Sequence, residues 1–276
     1  MKRIRYVMAA AAAFLAAPAL NASAADLAYT KAPVAMVYNW TGFYVGGTAG
    51  GIWQRARTDY SSDPNFLLGP GLFIFALDTG SLARSMPQNS SGFLGGVTLG
   101  YNWQRSNVVL GIEGDWSWTG LKATSVTTPV PCCFIPALTT TAETRTDWLA
   151  TLRGRIGMLA APQTLLFATG GLALGQIRTS TNLVPAAPSN CSNNGFCVVD
   201  TASATRAGWA AGAGIEQGFA SHWSVKVEYL HYDLGSFSHI ATEASPVNPG
   251  IIGLPVLHVK TSVSGDIARV GVNYRF

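Results

Sequence analysis

Charged residues make up only 12 % of this 276-residue chain, and many of them fall at a spacing of two. One glycine separates Glu113 from Asp115, another separates Arg153 from Arg155, and a valine separates Lys226 from Glu228. Glu216 and Arg269 each follow an apolar neighbour. On an extended strand, positions two apart point to the same face. Four acids and four bases are therefore expected to share one face. Such groups could line a polar path for ions or small solutes, or neutralise one another as a salt-bridged filling. Equal numbers of each sign favour the filling, because an unpaired buried charge is costly.

Other residue types offer less. His231, His239 and His258 approach one end of the last hairpin, where with loop tyrosines they could ligate haem iron. His222 lies at a turn, and no spacing signature sets these histidines apart from solvated ones. No cofactor is expected to be required. A hydrolase would need a serine, histidine and acid together. His222-x-Ser224 sits at the turn end, while His231-Tyr232-Asp233 has no nucleophile beyond the loop serines Ser236 and Ser238. No catalytic residue is assigned, and the chain is not expected to be an enzyme. Four cysteines, Cys132, Cys133, Cys191 and Cys197, suggest disulfides in an oxidising compartment. Cys191 and Cys197 would close the loop "CSNNGFC"; Cys132 and Cys133 could bridge each other or cross to that loop. No CxxC spacing supports a metal site.

The elements that must carry these residues recur along the chain. "YNWTGFYVGGTAGGIW" (38–53) places aromatics at both ends and glycines between. Similar alternating segments follow at 92–104, 108–123, 145–160, 165–180, 205–219, 223–234 and 258–276, with the first at 41–55. Three short connections alternate with four long ones. This predicts an all-β fold, an eight-stranded antiparallel transmembrane barrel with short periplasmic turns and long extracellular loops. Ten strands are the alternative, should "NFLLGPGLFIFALDTG" (65–80) add a hairpin.

Lys2, Arg3 and Arg5, the apolar stretch after them and Ala22-Ser23-Ala24 read as a signal peptide over 1–24. A periplasmic tail over 25–38 and a barrel over 39–276 would remain. Removing the leader leaves 15 basic against 14 acidic residues, so the net charge falls to +1. That excludes a nucleic-acid binder, which needs a basic face. After the leader no apolar run reaches the ~18–20 residues of a membrane helix.

Strand parity sorts the side chains. Leu110, Ile112, Leu152, Ile156, Val225, Val227, Val270 and Val272 share the lipid parity, opposite the charged set. Trp40, Phe43, Trp53, Tyr101, Trp103, Trp116, Trp118, Trp148, Trp209, Phe219, Trp223, Tyr274 and Phe276 are expected to form aromatic girdles at the two interfaces. Glycines between them would let a narrow barrel close and leave room for long side chains. The segment 165–180 is apolar on both parities and cannot be oriented, and Asp266 falls on the lipid parity.

"YNWTGFYVGGTAGGIW" after "AADL", with the ending "VGVNYRF", resembles the small outer-membrane β-barrel proteins of alphaproteobacteria. These are the porin-like or immunogenic surface proteins of rhizobia and brucellae. The resemblance implies an eight-stranded barrel in the outer membrane of a Gram-negative bacterium. It also implies that the barrel-assembly machinery reads Phe276 as an assembly signal. The expected partners are outer-membrane lipid and lipopolysaccharide. The expected role is structural, in envelope integrity and loop display. A small porin-like channel is the runner-up, and haem or ligand capture by the loops is third.

Overall fold

The computed structural model describes residues 38–62, 80, 82–128, 138–185, 197–242, 244 and 255–276. The leader, most of the tail, Cys132, Cys133 and Cys191 lie outside them. Eight strands close into one antiparallel barrel in sequence order. They are β1 (Gly42–Ser62), β2 (Ser85–Arg105), β3 (Val108–Thr127), β4 (Leu138–Ala161), β5 (Thr164–Pro185), β6 (Val198–Gly218), β7 (Trp223–Thr242) and β8 (Pro255–Arg275). Ring closure by β1 and β8 fixes eight strands, not ten.

Directly paired residues lead from Gly42 through Asn102, Gly111, Arg155, Thr169, Gly212, Leu230 and Ile267 to Ile52. One circuit thus returns to β1 ten residues farther on. That stagger tilts the strands by roughly 35–45° and gives a bore just wide enough for side chains to fill.

Each strand runs well past the segment its hydrophobic alternation marks. β1 continues to Ser62 instead of ending near 55, and β4 and β6 begin at Leu138 and Val198. The extensions all lie at the loop end. Their outward positions are mostly polar (Arg57, Asn89, Thr141, Ser203), with Val126, Val199 and Ile240 as exceptions, so the apolar contrast that reveals a strand is weakened there. The strands of 20 to 24 residues are about twice the ~9–11 needed to cross a bilayer. Register shifts at Trp118/Leu121, Thr146/Leu149 and Asp233/Ser236 mark where the apolar band gives way to this polar wall.

The outer surface carries the expected apolar face, with Leu110, Ile112, Leu152, Ile156, Val227, Val270 and Val272 exposed. Phe43, Trp103, Phe219, Trp223 and Phe276 ring the turn end, and Trp53, Trp116, Trp118 and Trp209 stand farther up. Trp116 stacks on Trp148, and Tyr101 and Tyr274 join the lower ring through aromatic contacts. Trp40 is the exception. It is fully buried inside the turn end, because the chain crosses under the mouth before β1 starts, where strand parity does not yet apply. β5 is now oriented: Leu165, Phe167, Ala173 and Ile177 point inward and Leu166, Leu172 and Leu174 outward.

The inward glycines mark close approaches between strands. A Cβ on Gly50 would lie 2.2 Å from the Ala268 carbonyl oxygen and 2.6 Å from Arg269 Cα, whereas one on outward Gly47 would meet nothing nearer than 4.0 Å. Gly50→Val is therefore expected to cost at least about 2 kcal/mol by overpacking. It should deplete the folded, heat-modifiable band on a gel, while Gly47→Val folds as the parent does.

Candidate functional site

The barrel interior brings all eight charged residues into one network. Strand register sets opposite charges directly across from each other: Glu113 faces Arg153, Glu216 faces Lys226 and Glu228 faces Arg269. On their other flanks the long side chains meet glycine. Arg153 lies opposite Gly171, Arg155 opposite Gly111, Arg269 opposite Gly50, Lys226 opposite Gly271 and Glu228 opposite Gly214. Glu113, Arg153, Lys226, Glu228 and Arg269 thus each have an oppositely charged partner on one side and a glycine on the other.

Arg153 is the hub. Its Nη2 donates to Glu113 at 2.7 Å and Asp115 at 2.9 Å, and its Nη1 donates to Glu228 at 2.7 Å and Thr169 at 3.4 Å. Its Nε donates to Thr151 at 2.8 Å. All five guanidinium N–H groups are used, which is the full capacity of the side chain. Lys226 Nζ donates to both Glu113 oxygens, at 2.8 and 2.7 Å, and Tyr44 adds its hydroxyl proton at 2.7 Å. Arg269 holds Asp115 with two parallel bonds, at 3.0 and 3.2 Å, and Glu228 through Nε at 2.8 Å. Glu216 accepts from Arg155 at 2.7 Å, Ser224 at 2.6 Å and Asn273 at 2.9 Å. The Arg153 and Lys226 side chains are 0 % exposed, so no water-sized space adjoins them.

Apolar storeys close the bore on both sides of this charged layer. Toward the turn end lie Tyr38, Trp40, Val109, Leu165 and Phe167. Arg155 stacks 4.2 Å above the Phe167 ring, and Arg275 packs over Trp40 and Tyr38 at 4.8 and 5.0 Å. Arg275 Nη1 donates to the Asn39 carbonyl, and the Gln104 side chain accepts from the Trp40 amide. The residues before β1 are thereby strapped across the mouth. Toward the loop end a larger apolar layer includes Ile52, Leu121, Leu149, Ile177, Leu230, Tyr232 and Ile267.

Above that layer runs a neutral polar belt: Thr146 donates to Gln54 at 2.8 Å, Gln88 to Thr58 at 3.1 Å and Thr144 to Gln88 at 2.5 Å. A last apolar group, including Tyr60, Met86, Leu183 and Val259, follows.

The comparisons with known proteins fit this architecture. The chain matches the family described as outer membrane protein beta-barrel domain over residues 8–276. It belongs to that family. The 31 kDa outer-membrane immunogenic protein of Brucella melitensis biotype 1 is 31 % identical, over 94 % of this chain and 95 % of the relative. The 22 kDa outer membrane protein of Rhizobium leguminosarum bv. viciae is 27 % identical over 75 % of each. Among solved structures, Neisserial surface protein A is 13 % identical with a TM-score of 0.35, covering 86 % of this chain and 98 % of its own. The outer membrane protease OmpT of Escherichia coli is 8 % identical with a TM-score of 0.48, covering 87 % and 98 %.

The remaining candidates scatter over this outer-membrane barrel. His231 and Asp266 meet on the outer wall at 2.9 Å, where Arg55 and Tyr229 also hold the carboxylate, at 2.9 and 2.7 Å. Asp266 keeps its lipid parity because these groups surround it. His239 faces inward and pairs with Asp200 at 2.8 Å. His258 follows the outward parity of β8, and His222 binds the Arg275 carbonyl at the turn end. The histidines do not converge on one point. Cys197 is buried and disulfide-bonded, with its partner outside the described residues.

Sequence reasoning missed Tyr44, Thr151, Asn273 and Arg275 as members of the network. All four sit on the inward parity; Thr151 and Asn273 lie two positions from Arg153 and Arg275, a signal that would have found them, whereas Tyr44 meets Arg275 only through strand register.

Glu113 is the acid on which most cations converge. Glu113→Gln removes the carboxylate that Lys226 bonds at 2.7 Å and leaves Glu228 at 4.0 Å as its salt-bridge partner. Breaking a buried pair this way costs about 3–5 kcal/mol. Urea unfolding of the refolded barrel should show that loss. Adding Lys226→Met to it should recover at least about 1 kcal/mol relative to additivity.

Proposed function

We propose that this protein is a sealed structural barrel that reinforces the outer membrane and displays its loops at the cell surface. One observation carries the reading: a layer of buried, mutually bonded charged side chains lies between two packed apolar storeys. An ion that reached Glu113 or Arg153 would have to displace an existing partner and then cross an apolar layer. Desolvating a charge in that way is costly. This supports a filled interior over the porin-like channel.

In this reading the leader directs export and is removed, and the turn end with both termini faces the periplasm. The barrel-assembly machinery reads Phe276, and lipopolysaccharide surrounds the outer wall. The long loops would then be the exposed surface, in keeping with the name immunogenic protein given to the Brucella relative. The role is non-catalytic. In support, the two histidine–carboxylate pairs a hydrolase could use lie on opposite faces of the wall, His231–Asp266 outside and His239–Asp200 inside.

Planar-bilayer recording of the refolded chain tests the reading. The expected result is a silent membrane under applied voltage. Reproducible conductance steps that change size when Arg153 or Glu113 is neutralised would establish the channel instead.

A further inference from the structure

Beyond the apolar band, the outer wall of β3, β4 and β5 carries an arrangement that strands normally avoid. Lys122 is paired directly with Arg145, and Arg145 directly with Arg178, so three cations stand side by side across three strands. Like charges directly opposite each other destabilise a sheet. Two carboxylates flank the row. Glu143 is shared by Lys122 at 3.0 Å and Arg145 at 2.5 Å, and Asp147 meets Arg178 at 3.0 Å. An excess of one positive charge remains, and each of the three cationic side chains is still about half exposed, at 52, 51 and 54 %.

The opposite wall is built differently. There Asp59 lies directly across from Lys260 and pairs with Arg57, so the signs alternate. Among the described residues, three cations in register occur only on β3–β5.

Position and shape indicate what would neutralise the row. Lys122 lies four residues beyond girdle Trp118 on the same outward face of β3, which is roughly 10 Å along a tilted strand. That is the depth of lipid headgroups just above an aromatic belt. Beside the row, Arg145, Arg178, Glu143, Ser180 and Thr201 line a shallow cavity of about 280 Å³. Guanidinium groups with adjacent hydroxyls suit the oxygens of a phosphate.

We infer that Lys122, Arg145 and Arg178 form a binding site for a phosphate group of an outer-leaflet glycolipid. The inference rests on the loop end facing outward, as proposed above. The lipid's acyl chains would lie on the apolar wall below, along Trp116, Trp118 and Leu172. Its phosphate would sit over the row and relieve the repulsion between the paired cations.

The test is made on the full chain refolded in detergent, where binding does not depend on membrane orientation or on conductance. Failure here therefore leaves the sealed-barrel reading intact, and a conducting barrel could still bind lipid. Native mass spectrometry would count bound bisphosphorylated lipid A and its phosphate-free analogue. The triple variant K122Q/R145Q/R178Q should bind the phosphorylated lipid at least tenfold more weakly, and the parent should bind the phosphate-free analogue as weakly. R57Q/K260Q on the opposite wall should bind like the parent, and R178Q alone serves if the triple variant does not fold. Equal binding by the parent and the row variants would overturn the site. So would equal binding of the two lipids, or displacement by inorganic phosphate with no preference for the lipid.

Discussion

A charge inside a closed β wall has to be neutralised by other groups inside that wall. In this barrel the requirement is met at Arg153, whose five donors are all accepted by residues on β3, β4, β5 and β7. The consequences reach beyond electrostatics. A slip of one residue in β3, β4 or β7 would turn its charged side chains to the lipid face. Hydrophobic contrast cannot prevent such a slip in β5, which is apolar on both faces. There Thr169 and Gly171, lying against the arginines of β4, hold the register. The network thus specifies how the strands align, a role that apolar layers of similar volume would fill less sharply.

Width is the second constraint, and glycine meets it. A ten-residue stagger over eight strands leaves a bore just wide enough for side chains to fill, so long inward residues need short ones beside them. Arg153, Lys226 and Glu228 face glycine across the ladder, Gly50 of β1 admits Arg269, and Gly100 of β2 admits Tyr44. Beyond the apolar band the same wall continues as a polar tube, with its centre filled by threonine, glutamine and then aliphatic side chains. The loops are therefore carried on a rigid rim.

Much of this was legible beforehand, for identifiable reasons. The E-G-D, R-G-R and K-V-E spacings repeat with the period of a strand, so the eight network charges and their shared face could be read directly. The eight strands followed from apolar alternation. Their outer ends did not, because Arg57, Asn89 and Ser203 face water and erase the contrast. Trp40 was misplaced among the girdles, since its composition matches theirs and only the path of the chain under the mouth puts it inside. The threonine and glutamine belt gave no warning either. Thr58, Thr144 and Gln88 are neutral residues whose partners lie on distant strands.

The central claim is that the interior charges bond to each other in the absence of water. Solvent exchange of arginine Hε protons, followed by NMR in the refolded barrel, tests it most directly. Arg153 and Arg269, whose Nε groups bond Thr151 and Glu228, should give resolved Hε signals that exchange at least about a hundredfold more slowly than that of exposed Arg57, as expected for buried, bonded groups. Exchange of Arg153 at the rate of Arg57 would mean that water reaches the centre of the barrel, and the sealed interior would have to be abandoned.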